Sequence, residues 1–572
     1  MENLTPAARF WRLLKPDASD IRNIYLYSVF NGVVNLSLPL GIQAIVNLIQ
    51  AGEVNNAWIV LIIFVVLGIV LSGVMTIFQL RITETLQQRI FTRAAFDFVF
   101  RIPRIKMEAI YKYYAPELMN RFFDVLGVQK GLSKILIDIS AAGLQIIFGL
   151  VLLSVYHPFF IIFSASLVLI LLLIFRITFE RGLKTSLVES KHKYKVAHWL
   201  EEVARVAITF KLAGTTDLPT YRMDKYTRNY IDAREEHFKV LRLQFGLLVG
   251  FKGAVATGLL AIGGYLVMQQ VLNIGQFVAA EIIILSIMSS VEKLIVSLET
   301  IYDVLTSLEK IGQVVDLELE KVEGAELDKS SIPNGIELEL QNVSFTYPES
   351  NKQVLQDVNI HVPAGGRILI SGPNSSGKST LIHVMAGLYY SHKGNIIYHG
   401  VNAQAFNKEA LRSIIGGCLI DEQLFEGTLS ENISLKRPEV TKQDIEWAIE
   451  KVGLRNWVKL LPLGYENPLD PMGSKLSRSV IQRILIARGI VDKPRLLLFE
   501  YAMDQIDYDE RKKIIDFLVS KENPWTLVAV SNDEYLAQKV DKIVIMNNGT
   551  VEHYDTYEKL KEFFTFKKLG DA

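Results

Sequence analysis

The clearest chemistry in the chain lies in Gly372-Pro373-Asn374-Ser375-Ser376-Gly377-Lys378-Ser379, followed by Thr380, which match the spacing G-x-x-x-x-G-K-[ST]. Glycines at the first and sixth positions let consecutive backbone N–H groups wrap phosphate oxygens at the start of a helix. Lys378 adds a point charge for the β- and γ-phosphates, and the Ser379 hydroxyl suits Mg²⁺. The context agrees, because Arg367–Ser371 reads as a strand before the loop and Ser379–Leu388 as a helix after it. Nucleoside triphosphate binding is the chemistry implied. Two carboxylates, Asp138 and Glu281, fall inside apolar runs. They fit either a substrate path or an interfacial or helix–helix contact, since buried charges in a membrane are costly. The single cysteine, Cys418, excludes an internal disulfide framework and a thiol zinc site.

The elements that must hold these residues divide the chain in two. Hydrophobic residues reach 50% while charged ones still make up 21%, which suggests a lipid-embedded part joined to a water-facing part. The 61 basic and 61 acidic residues balance and give no support to a nucleic-acid partner. Three stretches lack Lys and Arg altogether: Asn23–Leu80, Ile135–Phe175 and Gly253–Glu292. Each is long enough for two helices of about 20 residues. Each also has a polar break, at Gln50–Asn56, at His157-Pro158 and at Asn273–Gln276, so each reads as a helical hairpin in the membrane. Between them lie Arg81, Arg89, Arg93, Arg101 and Arg104, then Lys184, Lys191, Lys193, Lys195, Arg222 and Arg228, which mark those segments and both termini as cytoplasmic. Helical patterning over Leu86–Phe100 and His198–Leu212 predicts that the membrane helices extend into the cytosol. No removable signal peptide is expected, because Met1–Asp20 has no apolar core.

Residues 316–334 form a charged, Ser/Pro/Gly-punctuated linker. Beyond it, Ile336, Leu338 and Leu340 alternate with Glu337 and Glu339, and the apolar runs Arg495–Phe499 and Trp525–Val530 alternate with helical patterns. This predicts an α/β domain with a largely parallel core sheet. The expected architecture is an all-α transmembrane domain of six helices over residues 1–315, then the linker, then an α/β P-loop nucleotide-binding domain over 335–572.

The order of motifs resembles that of ATP-binding cassette (ABC) exporters over essentially the whole chain, and the membrane half is broadly similar to their type I secretion branch. Ser344-Phe345-Thr346-Tyr347 resembles the adenine-stacking loop, with Tyr347 as the aromatic platform. Phe425–Ile433 resembles the stretch after the Q-loop, while Leu476-Ser477 and Gln482-Arg483-Ile484 frame the signature sequence. The resemblance puts Glu500 at the catalytic glutamate and Asp507 at the D-loop aspartate. It implies two such chains per transporter, with each ATP and its Mg²⁺ held between one chain's phosphate loop and the other's signature.

Several positions depart from that pattern. Ile420 stands at the Q-loop glutamine, with Gln423 three residues late. Arg478, Ser479 and Val480 replace Gly-Gly-Gln after Ser477, Phe499 replaces the metal-binding aspartate, and Asn532 replaces the switch histidine. A phenyl ring offers Mg²⁺ no oxygen, so the metal is expected to be weakly held and Glu500 to be compromised as a base. Asn532 can donate a hydrogen bond but carries no charge. Arg478 can clamp phosphate or block it. The expected function is an ATP-binding export subunit with weak hydrolysis of its own. The alternative is a non-hydrolysing regulatory or structural subunit of a larger membrane complex. Expected partners are membrane lipid, a second half-transporter chain identical to this one or different, and a periplasmic adaptor with an outer-membrane component.

Overall fold

The computed structural model describes residues 5–52, 56–321, 323–332, 334–389 and 393–563. Two compact units emerge: Met1–Pro103 with Tyr113–Leu317, and Arg104–Lys112 with Glu318–Ala572.

In the first unit, six helical stretches among the described residues are long and apolar enough to cross a membrane: Pro6–Ala51, Asn56–Arg104, Ala115–Tyr156, Pro158–Arg205, Leu218–Met268 and Ile274–Val315. The breaks have local causes. The first span stops at Gly52, whose φ of +71° favours glycine. At the second break His157 is extended, its Nδ1 accepts the Phe159 N–H at 3.1 Å, and Pro158 opens the next helix. At the third, Asn273 and Gln276 form a reciprocal capping box. Ile59, Ile63, Phe64, Leu67 and Val70 of the second span are all more than half exposed, as a lipid-facing surface requires. The inner face is built at helical spacing: Ile283, Ile287, Val291 and Ile295 of the sixth span pack with Leu248, Phe251 and Val255 of the fifth and Leu167 and Ile174 of the fourth.

The helices continue well past the apolar stretches, the fourth running unbroken for 48 residues. Where spans four, five and six meet, Gln244 Nε2 donates to Thr178 Oγ1 at 3.0 Å and to the Tyr302 hydroxyl at 2.8 Å. Gly182 lies so close beneath the Tyr302 ring that a Cβ there would fall 2.4 Å from Cζ. Two local features depart from the sequence pattern. The helix expected over His198–Leu212 is interrupted at Val206 (φ −108°, ψ 30°) and resumes as Ala207–Leu212. Ile135–Ile139 and Leu259–Gly263 are π-turns. Asp138 sits in the first of these. It borders a polar cavity of about 340 Å³ with Asn35, Gln145, Ser286 and Lys293, and Glu281 is half-buried.

The second unit carries β1 (Leu338–Thr346), β2 (Gln353–Val362), β3 (Arg367–Ser371), β4 (Lys393–Tyr398), β5 (Val401–Asn402), β6 (Ile415–Cys418), β7 (Gly427–Thr428), β8 (Pro468–Leu469), β9 (Leu496–Glu500), β10 (Thr526–Val530), β11 (Lys542–Asn547) and β12 (Thr550–Asp555). The core sheet has the order β12-β11-β3-β10-β9-β6. It is parallel except for the β11–β12 edge pair. A separate antiparallel sheet, β2-β1-β4-β5, was not legible as a second layer in the sequence. β3, β9 and β10 are buried on both faces, which is why they read as continuous apolar runs. Their carboxyl ends lie together, the position at which open α/β sheets bind ligands.

Candidate nucleotide site

β3 runs directly into the glycine loop, and the helix Lys378–Met385 leaves it. The turn depends on two glycines. Gly372 has φ +142°, and a Cβ there would sit 2.1 Å from the Met546 carbonyl; Gly377 has φ +101°. Lys378 is almost fully buried, its Nζ donating to the carbonyls of Gly372 at 2.8 Å and Pro373 at 2.7 Å. Burial draws this ammonium below its ordinary pKa. Residues 374–380 border an open cleft of about 740 Å³ together with Gln353, Gln356, Tyr501 and Asn548.

The other expected residues divide into those beside the loop and those apart from it. Glu500, the last residue of β9, is 1% exposed. Its Oε2 lies 3.3 Å from His383 Nε2 and accepts the Ile420 N–H at 3.2 Å, and the Ser379 hydroxyl also donates to the carboxylate. Burial works to raise this carboxyl, but the hydrogen bonds from His383, Ser379 and Ile420 together outweigh it and hold it below the usual carboxylate range. Oε1 is buried and has no partner. Phe499 is equally buried but belongs to the apolar cluster on the opposite face of the strand, with Leu497. Asn532 Oδ1 accepts the Ser371 hydroxyl at 3.0 Å, tying the residue to the end of β3.

Tyr347 shares a hydrogen bond with Thr380 Oγ1 at 3.0 Å, but its ring does not border the cleft. Ser477 caps the helix Arg478–Ile490 by accepting the Val480 N–H at 3.3 Å. Arg478 is exposed, Ser479 Oγ is buried without a partner, and Val480 is buried. Asp507 is exposed just before the helix Tyr508–Val519. None of Ser477, Arg478, Ser479 or Asp507 borders the cleft. Ile420 is 60% exposed, and of Gln423 the carbonyl is engaged, accepting from Arg488 at 3.1 Å.

Sequence reasoning passed over His383 and Tyr501. The first was findable: four residues after Ser379 on a helix, it must share that residue's face. Tyr501 has φ +48° and projects into the cleft where the chain turns off β9.

The donors fit a magnesium nucleotide. A glycine-built loop, a lysine held across it and an unpartnered buried carboxylate oxygen beside a serine hydroxyl are what such a ligand needs. Among the described residues no group of three or more His, Cys, Asp or Glu side chains could enclose an ion unaided. Phosphate oxygens and water would complete the shell, as Mg²⁺ prefers.

Comparison with known proteins bears on both units. A family model described as "ABC transporter" matches residues 355–502, and one described as "ABC transporter transmembrane region" matches 21–291. The chain is 28% identical over 319 residues to the putative multidrug export ATP-binding/permease protein YgaD of Bacillus subtilis, covering 54% of this chain and 55% of that protein. It is 23% identical over 541 residues to the transport/processing ATP-binding protein ComA of Streptococcus pneumoniae, covering 93% and 74%. It is also 27% identical over 300 residues to the alpha-hemolysin translocation ATP-binding protein HlyB of Escherichia coli O157:H7, covering 52% and 42%. The match thus spans about half the length of YgaD and less than half of HlyB. The fold is that of a bacterial Atm1-family ABC exporter with ATP bound, with a TM-score of 0.82 at 19% identity over 96% of this chain and 97% of that one.

Proposed function

The chain belongs to the ABC transporter family as an exporter subunit with an ATP-binding domain, and from that premise we propose that it binds magnesium ATP firmly but turns it over slowly. It is a multi-pass membrane protein with a cytoplasmic nucleotide-binding domain.

The observation that carries the proposal is the inward Glu500 beside Ser379. The metal, when present, would neutralise charge between the β- and γ-phosphates. Ser379 and Glu500 are the residues to hold it, with Glu500 Oε1 supplying the oxygen that Phe499 cannot. On this reading Mg²⁺ would be held more firmly than the phenyl ring at Phe499 alone suggests. This arrangement also takes Glu500 out of the role of base, because a carboxylate whose oxygen holds the metal and which lies against His383 and Ser379 is committed to those partners. The residue facing the cleft after it is Tyr501, and burial pushes that phenol up from its usual value, so it keeps its proton near neutral pH. Asn532, bonded through Oδ1 to Ser371, can donate its amide N–H to a phosphate but adds no charge. Lys378 and the loop therefore bind and orient the phosphates, while the groups that would activate water are replaced.

This combination supports a partnership in which a second half-transporter supplies the faster site. A homodimer would repeat the slow site twice. The regulatory reading, an ATP-binding subunit that holds a membrane complex together without hydrolysis, is favoured by Tyr501 lining the cleft after Glu500, where a phenol takes the place of a carboxylate that could accept a proton from water. An adaptor and outer-membrane partner are proposed on the likeness to translocation proteins such as HlyB. Equilibrium binding of ATP to the purified chain in nanodiscs, with and without chelator, tests the metal assignment. A steep loss of affinity on chelation is expected and should shrink in Glu500→Gln; insensitivity to chelator would return Glu500 to a role away from the metal.

A further inference from the structure

The segment Arg104–Lys112 follows the second membrane span in sequence yet packs within the second unit. Its backbone is stitched there, with the Lys106 N–H donating to Glu318 O at 3.0 Å and the Glu320 N–H to Arg104 O at 2.8 Å. Arg104 Nε donates to Glu409 Oε1 at 2.8 Å, and Met107 packs against the apolar cluster that includes Tyr347 and Tyr389. At the end of the segment, the Tyr111 ring lies on that of Tyr347, with centroids 5.1 Å apart and planes 18° from parallel. Phe345 and Tyr389 meet Tyr347 at 86° and 85°. Among the described residues Tyr111 is thus the one ring stacked flat on Tyr347.

The burial of these neighbours decides which face a ligand could reach. Phe345 is 1% exposed and Tyr389 8%, so their side of Tyr347 is core, whereas Tyr111 is 46% exposed. Tyr111 thus covers a face of the platform on its more exposed side. Two stacked rings at this spacing leave no room for a third between them, because a purine needs its own layer of about 3.5 Å on each side.

We propose that Tyr111 holds the base-binding face of Tyr347 when no nucleotide is present, so that a purine base and the Tyr111 ring compete for one surface. The proposal rests on the reading of Tyr347 as the base platform. Tyr111 then determines specificity: a nucleotide whose base stacks too weakly to displace it binds through its phosphates alone, while a purine gains the face and releases Tyr111. An aromatic pair of this kind is worth roughly two- to tenfold in an equilibrium, which sets the size of the effect.

The test is calorimetric titration of the full chain in lipid nanodiscs with magnesium ATP and, as a base-free probe, magnesium tripolyphosphate. Tyr111→Ala should tighten ATP binding by roughly two- to tenfold and leave tripolyphosphate unchanged, which also reports an intact fold, and Tyr111→Phe should behave as the native chain. Unchanged ATP affinity in Tyr111→Ala overturns the proposal. So does weakened affinity, which would mean that Tyr111 clamps the base. The platform reading is checked separately by Tyr347→Ala, which should abolish the advantage of ATP over tripolyphosphate. If that advantage persists, the platform assignment itself falls, whatever Tyr111 does.

Discussion

Phe499 and Glu500 are adjacent on a strand, so their side chains take opposite faces and only one can reach Ser379. The sequence offered both as candidates for work at the phosphates. It lacked the register that sends Phe499 into the apolar cluster with Leu497 and turns Glu500 toward Ser379 and His383. The loop residues 372–379 were fully legible because their chemistry is local. The Glu500 environment was not, because it joins β9, the Lys378–Met385 helix and the Ile420 turn, which are remote in sequence. If Tyr501 is what stops turnover, Tyr501→Glu should raise ATP hydrolysis of the purified chain at least tenfold, about 1.4 kcal/mol of transition-state stabilisation. A rate unmoved by that change, with binding intact, would locate the block elsewhere. Acid should act through Glu500. Its folded pKa lies below the unfolded value of about 4.3, so its contribution to stability is complete above that value and is lost as pH falls through the folded one. The gap in melting temperature between the native chain and Glu500→Gln should therefore be widest above about pH 5 and narrow toward acid.

At the scale of elements, the Lys/Arg-free stretches revealed the spans because lipid imposes one rule on every residue of a helix centre, and Gly52, His157-Pro158 and Asn273 announced the turns by their own backbone preferences. The π-turns, the interruption at Val206 and the departure of Arg104–Lys112 into the other unit depend on what each helix packs against, which no local pattern encodes. Two glycines carry sharp expectations. Gly372→Ala must push a methyl into the Met546 carbonyl, and loss of ATP binding is expected in the same titration that leaves the membrane unit folded. In Gly182→Ala the added methyl meets the rigid Tyr302 ring, and overpacking of this kind costs about 1–3 kcal/mol, readable as a lower melting temperature with nucleotide affinity retained.

For the whole molecule, likeness to ABC transporters over both units makes sidedness and partnership the leading questions. The one cysteine, Cys418, is 3% exposed, and burial raises its thiol pKa, so an introduced cysteine can be labelled against a quiet background. Gln270→Cys, in the turn before the sixth span, should react with an impermeant reagent from outside intact cells and Lys191→Cys should not; the opposite result would invert the topology. Composite sites bear on partnership. Val480 is buried, so glycine should be restored at 478 and 479 alone, and turnover of the native complex is expected to rise only if a competent second chain is present. Lastly, the fourth span's 48 residues amount to about 72 Å of helix, while the apolar layer of a bilayer is about 30 Å thick. The excess is a lever arm. Because Gln244 and Tyr302 fasten it to the fifth and sixth spans, the three rods share one bending stiffness. A tilt of about 5° in the membrane then displaces a tip about 40 Å away by roughly 3 Å, a stroke comparable to the thickness of one aromatic ring.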